Sequence, residues 1–174
     1  MQINHDIEIT PTVVLLDGQP IAVQETGERM LVWLYRQYVK DYPKFFKMDT
    51  LSRLGFIAAE LLLQDQQVDT VILANRSASI KNDSDYLETI TGDNYYPSPA
   101  LFVYTLPNIV TGEIAIRHRI QGETSFYILD KPEHLEPIIR STLDKSHSSY
   151  VLVGWCECSQ SDRFYAKLQI IWNN

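Results

Sequence analysis

The stretch from residue 98 to residue 132 places the strongest constraint on the fold of this chain. It begins as an apolar, mostly helical segment that is broken at Pro107, because proline cannot continue a helix interior. Gly122 then precedes a short apolar strand at residues 125–129. The residues that favour the start of the next helix are Asp130 as N-cap, Pro132 in the first turn and Glu133. We therefore predict helix, glycine, strand, tight turn and helix, with free backbone N–H groups and the positive end of the helix dipole at that turn.

The N-terminal residues predict a strand and a hairpin. Residues 7–9 alternate between apolar and polar side chains. Asp17-Gly18 accepts the positive φ of a tight turn between residues 13–16 and 21–23. Pro20 cannot donate a hydrogen bond to a neighbouring strand, so we expect this hairpin at a sheet edge.

Two helices are predicted before residue 64. Helical spacing of apolar residues indicates the first over residues 28–39, with Tyr38 on the apolar stripe. Asp49 is placed to cap the second. The apolar residues that give the second helix its period are Leu51, Leu54, Ile57, Ala58, Leu61 and Leu62.

The remaining segments predict three strands and their connections. Residues 68–74 are apolar and β-branched, which is typical of a buried parallel strand. The polar residues 75–85 are predicted as a loop, either a ligand crevice or a plain surface loop, and residues 85–91 as a short helix. Residues 150–156 and 164–172 indicate a buried strand and an alternating strand antiparallel to it. The core pattern is therefore βαβαβαββ.

Three stretches together resemble one protein family. They read KFFKMDTLSRLGFIAAELLL from Lys44, SPALFVYTLPNIVTGEIAIRHRIQGET from Ser98 and YVLVGWCE from Tyr150. In this order and spacing they are similar to the N-terminal half of β-ketoacyl-ACP synthases, the condensing enzymes of the thiolase-like superfamily, over residues 41–172. The resemblance implies an α/β fold: one thiolase-like repeat in three layers, with a mixed, mostly parallel sheet and an added N-terminal hairpin, as a single domain over residues 1–174.

The same resemblance implies that the catalyst is missing. The family's nucleophilic cysteine follows the strand after the glycine, and that position falls at Lys131. No Cys, Ser or Thr lies between Phe126 and Arg140. The family's two catalytic histidines come from a C-terminal half, and this sequence ends before it. We expect a ketosynthase-like chain without condensing activity and assign no catalytic residue.

Binding candidates follow from the central stretch. Asp130 and Lys131 stand at the predicted helix start, where a plain cap beside a solvated lysine is the alternative explanation. The other candidates are Asn108, Arg117 and Arg119. Arg117-His118-Arg119 is the compact basic cluster that an acidic acyl carrier protein would contact, although each histidine is expected at the surface. We predict no metal site and no cofactor.

The composition limits which classes of partner and which cellular compartment we expect. The net charge of −7 argues against nucleic acid and anionic membranes as partners. Cys156 and Cys158 share one face of a strand, which predicts buried reduced thiols rather than a disulfide or a zinc site. Glu157 between them is expected to be a structural carboxylate. The N-terminus does not resemble a signal peptide and no apolar run approaches ~20 residues, so the cytoplasm is the expected compartment.

Three functions remain open. The first is an inactive partner or chain-length-factor-like subunit in fatty acid, polyketide or aryl-polyene-type biosynthesis. It would form a homodimer, or a heterodimer with an active ketosynthase, that covers residues 98–119 and the helix after Asp130. The second is an acyl-chain or acyl-carrier-protein binding module with weak acyltransferase or thioesterase activity near Lys131 and residues 75–85. The third is a condensing enzyme whose other half and nucleophile belong to a separate chain.

Overall fold

A seven-stranded mixed sheet forms the centre of the molecule. The computed structural model describes residues 2–64, 66–92, 95–145 and 150–172, without the side chain of residue 145. In chain order the strands are β1 Gln2–Ile9, β2 Val14–Leu16, β3 Gln19–Pro20, β4 Thr70–Asn75, β5 Thr124–Ile128, β6 Tyr150–Gln160 and β7 Arg163–Trp172. Across the sheet they lie in the order β3-β2-β1-β7-β6-β4-β5. β4 is parallel to both β5 and β6, whereas the four pairings β6–β7, β7–β1, β1–β2 and β2–β3 are antiparallel. The sheet is therefore mixed as predicted, but it is not mostly parallel, because the N-terminal strands and β7 add antiparallel pairs.

Helices cover both faces of this sheet. They are α1 Gly27–Leu34, α2 Thr50–Leu63, α3 Ile80–Glu88, α4 Pro99–Val103, α5 Ile109–His118 and α6 Glu136–Lys145. A π-helical turn over Tyr35–Val39 extends α1, and 3₁₀ turns occupy Pro43–Lys47 and Pro132–Leu135. The succession β1, α2, β4, α5, β5, α6, β6, β7 confirms the predicted βαβαβαββ pattern. Among the described residues, no helix is both long and apolar enough to cross a membrane.

Two apolar clusters, one on each face, give the three layers. On one face α1, α2 and α5 pack on alternating side chains of β1 and β7, including Ile7, Ile9 and Leu168. On the other face Leu135 of the 3₁₀ turn and Ile139 of α6 pack on the middle strands. All six residues of β4 are buried between these layers, as expected for a parallel strand covered on both sides.

Local sequence signals explain the best-predicted elements. Asp17 and Gly18 have φ values of 50° and 73°, and the hairpin that they turn ends in β3, an edge strand that contains Pro20. Asp49 caps α2, because one of its carboxylate oxygens accepts a hydrogen bond from Ser52 N at 3.0 Å. Burial raises the pKa of this carboxyl against the opposing effect of the cap. The predicted edge hairpin and the predicted Asp49 cap are both confirmed, although β3 is limited to Gln19–Pro20 instead of residues 21–23.

Three local predictions were wrong. Residues 75–85 are not a continuous loop, because α3 already begins at Ile80. The helix is polar in sequence, but Asn82 Nδ2 donates to Leu101 O in α4 at 2.7 Å, which holds it in place. Tyr38 leaves the apolar stripe and is 53% exposed, because the α-helix gives way to a π turn at Tyr35.

The third correction concerns the helix start after β5. Asp130 does not cap it: Lys131 occupies the N-cap position, in extended conformation, and makes no side-chain cap bond. The first turn is a 3₁₀ turn, and α6 proper begins only at Glu136. The side chain of Asp130 instead lies 3.5 Å from the Arg76 guanidinium.

Candidate functional site

The carboxyl ends of the three parallel strands β4, β5 and β6 meet at one end of the sheet. In open α/β sheets this is the usual position of a ligand crevice. At the end of β4 the buried Asn75 closes a turn: its Oδ1 accepts from Ala78 N at 2.9 Å and its Nδ2 donates to Ala78 O at 2.8 Å. Ala78 has a φ of 50°. The amide of Asn75 therefore fixes the loop that a crevice would require.

Charged side chains tie the three strand ends together. Arg76 N donates to Glu157 Oε2 at 2.9 Å, which joins β4 to β6. The Arg76 guanidinium then reaches Asp130, after β5, at 3.5 Å. Glu157 thus has a structural role, although it lies within β6, which continues to Gln160, and not at the strand end that the sequence predicted. The ion pair between Arg76 and Asp130 contributes little to the free energy of folding, because both side chains are exposed to water.

Lys131 is exposed at the beginning of the 3₁₀ turn. Within the described part of the chain no carboxylate lies within 4.0 Å of its ammonium group. A lysine nucleophile lies in a buried site or beside another cation, whereas this side chain is exposed. The geometry therefore favours a solvated lysine at this position.

An open groove of about 340 Å³ starts directly after Lys131. Its floor is apolar and is formed by Leu135, Ile139, Val153 and Trp155, between the start of α6 and strand β6. Charged residues, among them Glu133 and Lys167, line it as well. The groove could hold a short apolar chain with its polar end at the rim.

The five predicted binding residues do not form one site. Gly122 N donates to Asp69 O at 3.1 Å, so the chain that follows Arg119 lies at the amino end of β4. A side chain at Gly122 would place its Cβ 2.1 Å from Asp69 O, which explains the glycine. Arg117 and Arg119 therefore lie at the end of the sheet opposite to Asp130 and Lys131.

Asn108 lies at the same end of the sheet as Asp130 and Lys131. Ser79 Oγ, just past the end of β4, donates to Thr105 O at 2.6 Å and so places the following residues there. Asn108 occupies the N-cap position of α5 without a side-chain cap bond. Its exposed side chain is the one candidate from α5 at this end of the sheet.

The basic cluster predicted for a carrier protein is largely neutralised. Arg117 binds the carboxylate of Glu60 through Nε at 3.0 Å and Nη2 at 3.2 Å, and it binds Asp41 at 2.8 Å. Hydrogen bonding to Glu60, ahead of that to Asp41, raises the pKa of Arg117. His118 Nε2 lies 2.8 Å from Glu60 Oε1. His118 is only 18% exposed and lies against Glu60 rather than free at the surface, and Arg119 alone of the three stays exposed.

A second ionic cluster was not predicted from the sequence. Glu113 on α5 is buried, yet Lys44 Nζ lies 2.6 Å from Oε1 and the Tyr42 hydroxyl donates to Oε2 at 3.2 Å. This hydrogen bond to Glu113 raises the pKa of Lys44. The cluster fixes α5 to the 3₁₀ turn before α2, so its role is structural.

Both cysteines are buried and reduced, as predicted. They face the apolar cluster on the α2 side of the sheet. Burial raises the pKa of Cys158 to about 12 and raises that of Cys156 as well. Because the thiolate is the nucleophilic form, neither thiol is suited to covalent chemistry.

Strand β5 forms one edge of the sheet. Among the described residues β5 pairs with β4 alone. Val71 N donates to Glu123 O at 2.9 Å and Leu129 N donates to Asn75 O at 2.8 Å. Parallel pairing alternates along a strand, so the N–H and C=O groups of the intervening residues point away from β4. These residues are Thr124, Phe126 and Ile128.

Helices α3 and α4 and the turn after α4 carry exposed apolar side chains, here called the α3–α4 apolar surface. Its large apolar side chains are each about half exposed: Ile80, Leu87, Phe102, Val103 and Leu106. The ring of Phe102 lies 5.6 Å from that of Tyr86, which links the two helices. Part of the central stretch is thus apolar and uncovered, as the sequence suggested.

The sequence also suggested that the helix after Asp130 needs a partner to cover it, but the outer face of this helix is polar. The outward residues of α6 are polar, with Glu136, Arg140 and Asp144 on one stripe, and Arg140 pairs with Glu136 at 2.6 Å. On the same side of the sheet, β1 and β7 present Glu8 and Lys167. This face therefore needs no second layer to cover it.

The sequence matches no known protein family and no curated protein. The solved structures that it matches include two at 15% sequence identity: the ketosynthase ApeO in complex with its chain length factor ApeC, from Xenorhabdus doucetiae, and the ishigamide ketosynthase/chain length factor. The first match has a TM-score of 0.69 and covers 99% of this chain and 79% of that chain. The second has a TM-score of 0.73 and covers 98% and 61%.

These likenesses define the class of fold. The chain has the thiolase-like α/β fold of ketosynthases and chain length factors, as the sequence predicted. It spans less than two thirds of the matched ishigamide chain.

Proposed function

We propose that this chain is a ketosynthase-like subunit without condensing activity that pairs with an active ketosynthase, in the manner of a chain length factor. The pathway would be of the polyketide or aryl-polyene type. The observation that carries the proposal is the free, apolar edge of β5. The fold supports it, and so does Lys131 at the position where the family resemblance places the nucleophile.

An unpaired strand edge favours association. Thr124, Phe126 and Ile128 present backbone donors and acceptors outward, and Ile128 is 51% exposed. The strand contains no proline and no charged residue, which are the usual devices that prevent edge-to-edge pairing. A partner strand would satisfy these groups and continue the sheet.

The α3–α4 apolar surface supports a partner for a second reason. Large apolar patches on a protein surface commonly mark interaction sites. The polar outer face of α6, in contrast, gives no reason for a second copy to stack on that layer. A heterodimer joined at the β5 edge therefore fits the surface better than a homodimer that stacks two α6 layers.

The test is co-expression with a ketosynthase from the same source, followed by size-exclusion chromatography with light scattering. We expect a one-to-one complex. Ile128→Asp should weaken it at least about tenfold, because a carboxylate at the interface would be desolvated without a partner. Ile3→Asp is the matched control, since Ile3 is a similarly exposed strand residue, 56% accessible, on β1. Two species that never associate, or a complex equally sensitive to both variants, would refute the proposal.

The groove beside Lys131 favours one alternative, an acyl-chain binding module. Its apolar floor and its position next to Lys131 match the sequence-based expectation of a pocket at that residue. Titration of the isolated chain with decanoyl-pantetheine, followed by calorimetry, tests this function. Saturable binding that Val153→Asp abolishes while the variant stays folded would favour the alternative, and absence of binding would remove it.

A further inference from the structure

Three arginines line a cleft beside α1, and none of them has a part in the proposed function. Arg29, Arg36 and Arg53 line it, together with Val32 and Trp33, and its volume is about 420 Å³. None of these residues belongs to the β5 edge or to the α3–α4 apolar surface. The cleft is therefore an independent feature of the molecule.

Helical spacing and local packing place the three guanidinium groups. Arg29 and Arg36 are seven residues apart, with Trp33 between them, and so lie on one stripe of α1 and its π extension. The opposite stripe, Met30, Leu31 and Leu34, is buried and anchors the helix. Arg53 approaches from α2. Its Nη2 donates to Phe46 O at 2.9 Å and its Nε to Phe45 O at 3.3 Å.

These arginines lack acidic partners. In the described ranges no carboxylate lies within 4.0 Å of Arg29, Arg36 or Arg53, whereas Arg117 and Arg140 both form close ion pairs. Two carboxylates do line the cleft, those of Glu25 and Glu28. Glu28 is engaged by the Thr50 hydroxyl, and Glu25 is exposed. Arg53 is hydrogen-bonded to backbone carbonyls alone, so the cleft has three guanidinium groups with which, among the described residues, no carboxylate pairs.

We propose that this cleft binds a phosphate ester that carries an aromatic or apolar group. The planar forks of arginine bind phosphate oxygens in pairs, and a doubly charged phosphate satisfies more of them than a carboxylate does. Val32 and Trp33, both half-buried, provide an apolar wall for the rest of the ligand. The carboxylates of Glu25 and Glu28 also line the cleft and repel additional negative charge, which disfavours long polyanions.

The test is calorimetric titration of the full chain with three probes at low salt. ADP represents a free aromatic phosphate ester, a phosphoserine peptide represents a protein-borne one, and a glutamate-rich peptide represents acidic chains in general. We expect ADP or the phosphoserine peptide to bind saturably, and the better of the two identifies the source of the phosphate.

Charge-matched variants make the test specific. Arg36→Gln and Arg29→Gln, both at exposed positions, should each weaken binding at least about tenfold, because each removes a charge-assisted hydrogen bond. Arg163→Gln removes the same charge from an exposed arginine on β7 and should leave affinity within about twofold, because it lies outside the cleft. Circular dichroism verifies folding of each variant.

Three results would overturn the proposal. The first is no binding of either phosphate probe at millimolar concentration. The second is an equal loss of affinity in Arg163→Gln, which would indicate diffuse electrostatics. The third is binding of the glutamate-rich peptide as tight as that of the phosphate probes, which would identify the cleft as a contact for acidic proteins.

Discussion

Glu60 is the residue at which three separate parts of the chain meet. It lies on α2 with a side chain only 9% exposed, and it binds Arg117 and His118 at the end of α5. Arg117 extends the network to Asp41 and lies 5.6 Å from the ring centre of Tyr42. A largely buried carboxylate with several partners is costly to remove, because its removal leaves the cations without that partner.

Burial raises the pKa of Glu60, but the hydrogen bonds and charges of His118 and Arg117 outweigh burial, so the pKa is lowered overall. A carboxyl whose pKa is lowered by folding stabilises the protein above its unfolded value of 4.5. That contribution is lost as the pH falls through the folded pKa. Acid should therefore weaken the α2–α5 junction.

We predict that Glu60→Gln lowers the free energy of unfolding at pH 7 by about 2 kcal/mol, less than for a fully buried pair because Arg117 keeps Asp41. Below pH 4.5, the unfolding free energy of the variant should fall less steeply with pH than that of the wild type. Urea titrations from pH 7 to pH 3 measure both effects. Glu88→Gln, at an exposed position on α3, is the control and should change neither. Parallel pH curves for wild type and Glu60→Gln would contradict the prediction.

At the level of elements, the close approach of α2 and α5 organises one face of the sheet. Gly55 on α2 is the contact point. A Cβ at this position would lie 2.3 Å from Val110 Cγ2 on α5 and 3.4 Å from Cys156 Sγ on β6. Three elements therefore meet at one glycine, and the contact leaves no room for a methyl group.

We predict that Gly55→Ala destabilises the protein by about 2 kcal/mol, because overpacking a filled core forces its neighbours apart. Gly112→Ala is the matched control within α5. A Cβ there meets nothing within 4 Å, so removing a helix-interior glycine should stabilise the protein by about 0.5 to 1 kcal/mol. Urea midpoints at constant m-value report both changes. The two substitutions should change the free energy of unfolding in opposite directions. If both change it in the same direction, the contact at Gly55 is not tight.

At the level of the whole molecule, the two edges of the sheet differ in length and composition. β3, with its proline, ends one side, whereas β5 ends the other with apolar residues and free backbone groups. The layers also differ: α1, α2 and α5 bury one face, while α6 with its polar outer side covers only the middle of the other. This asymmetry makes β5 the place where a partner can extend the sheet.

Hydrogen exchange of the β5 amides tests whether a partner pairs with this strand. In the isolated chain, the amides of Thr124, Phe126 and Ile128 should exchange rapidly, because they point away from β4. The amides of Ser125 and Tyr127 face β4 and should be protected. In the complex with a ketosynthase, the first group should become protected while the second changes little. A complex that leaves the first group unprotected would place the interface elsewhere.

Signals that act over a few residues were readable from the sequence. The Asp17-Gly18 turn, the Asp49 cap and the helical period of α2 depend on neighbours within about one or two helical turns. The alternation of β7 identified its buried face for the same reason. The thiolase-like fold followed from these elements in their order together with the family resemblance.

Long-range contacts decided the rest. Polar residues 80–85 became helical because Asn82 bonds to α4, and Asp130 met Arg76 instead of capping a helix. Arg117 was predicted as a free cation but is neutralised by Glu60, 57 residues away in sequence. The arginine cleft and the free edge of β5 likewise exist only once distant segments are brought together. Local propensity determines what each segment can form, but only tertiary packing determines which charges are paired and which edges stay open.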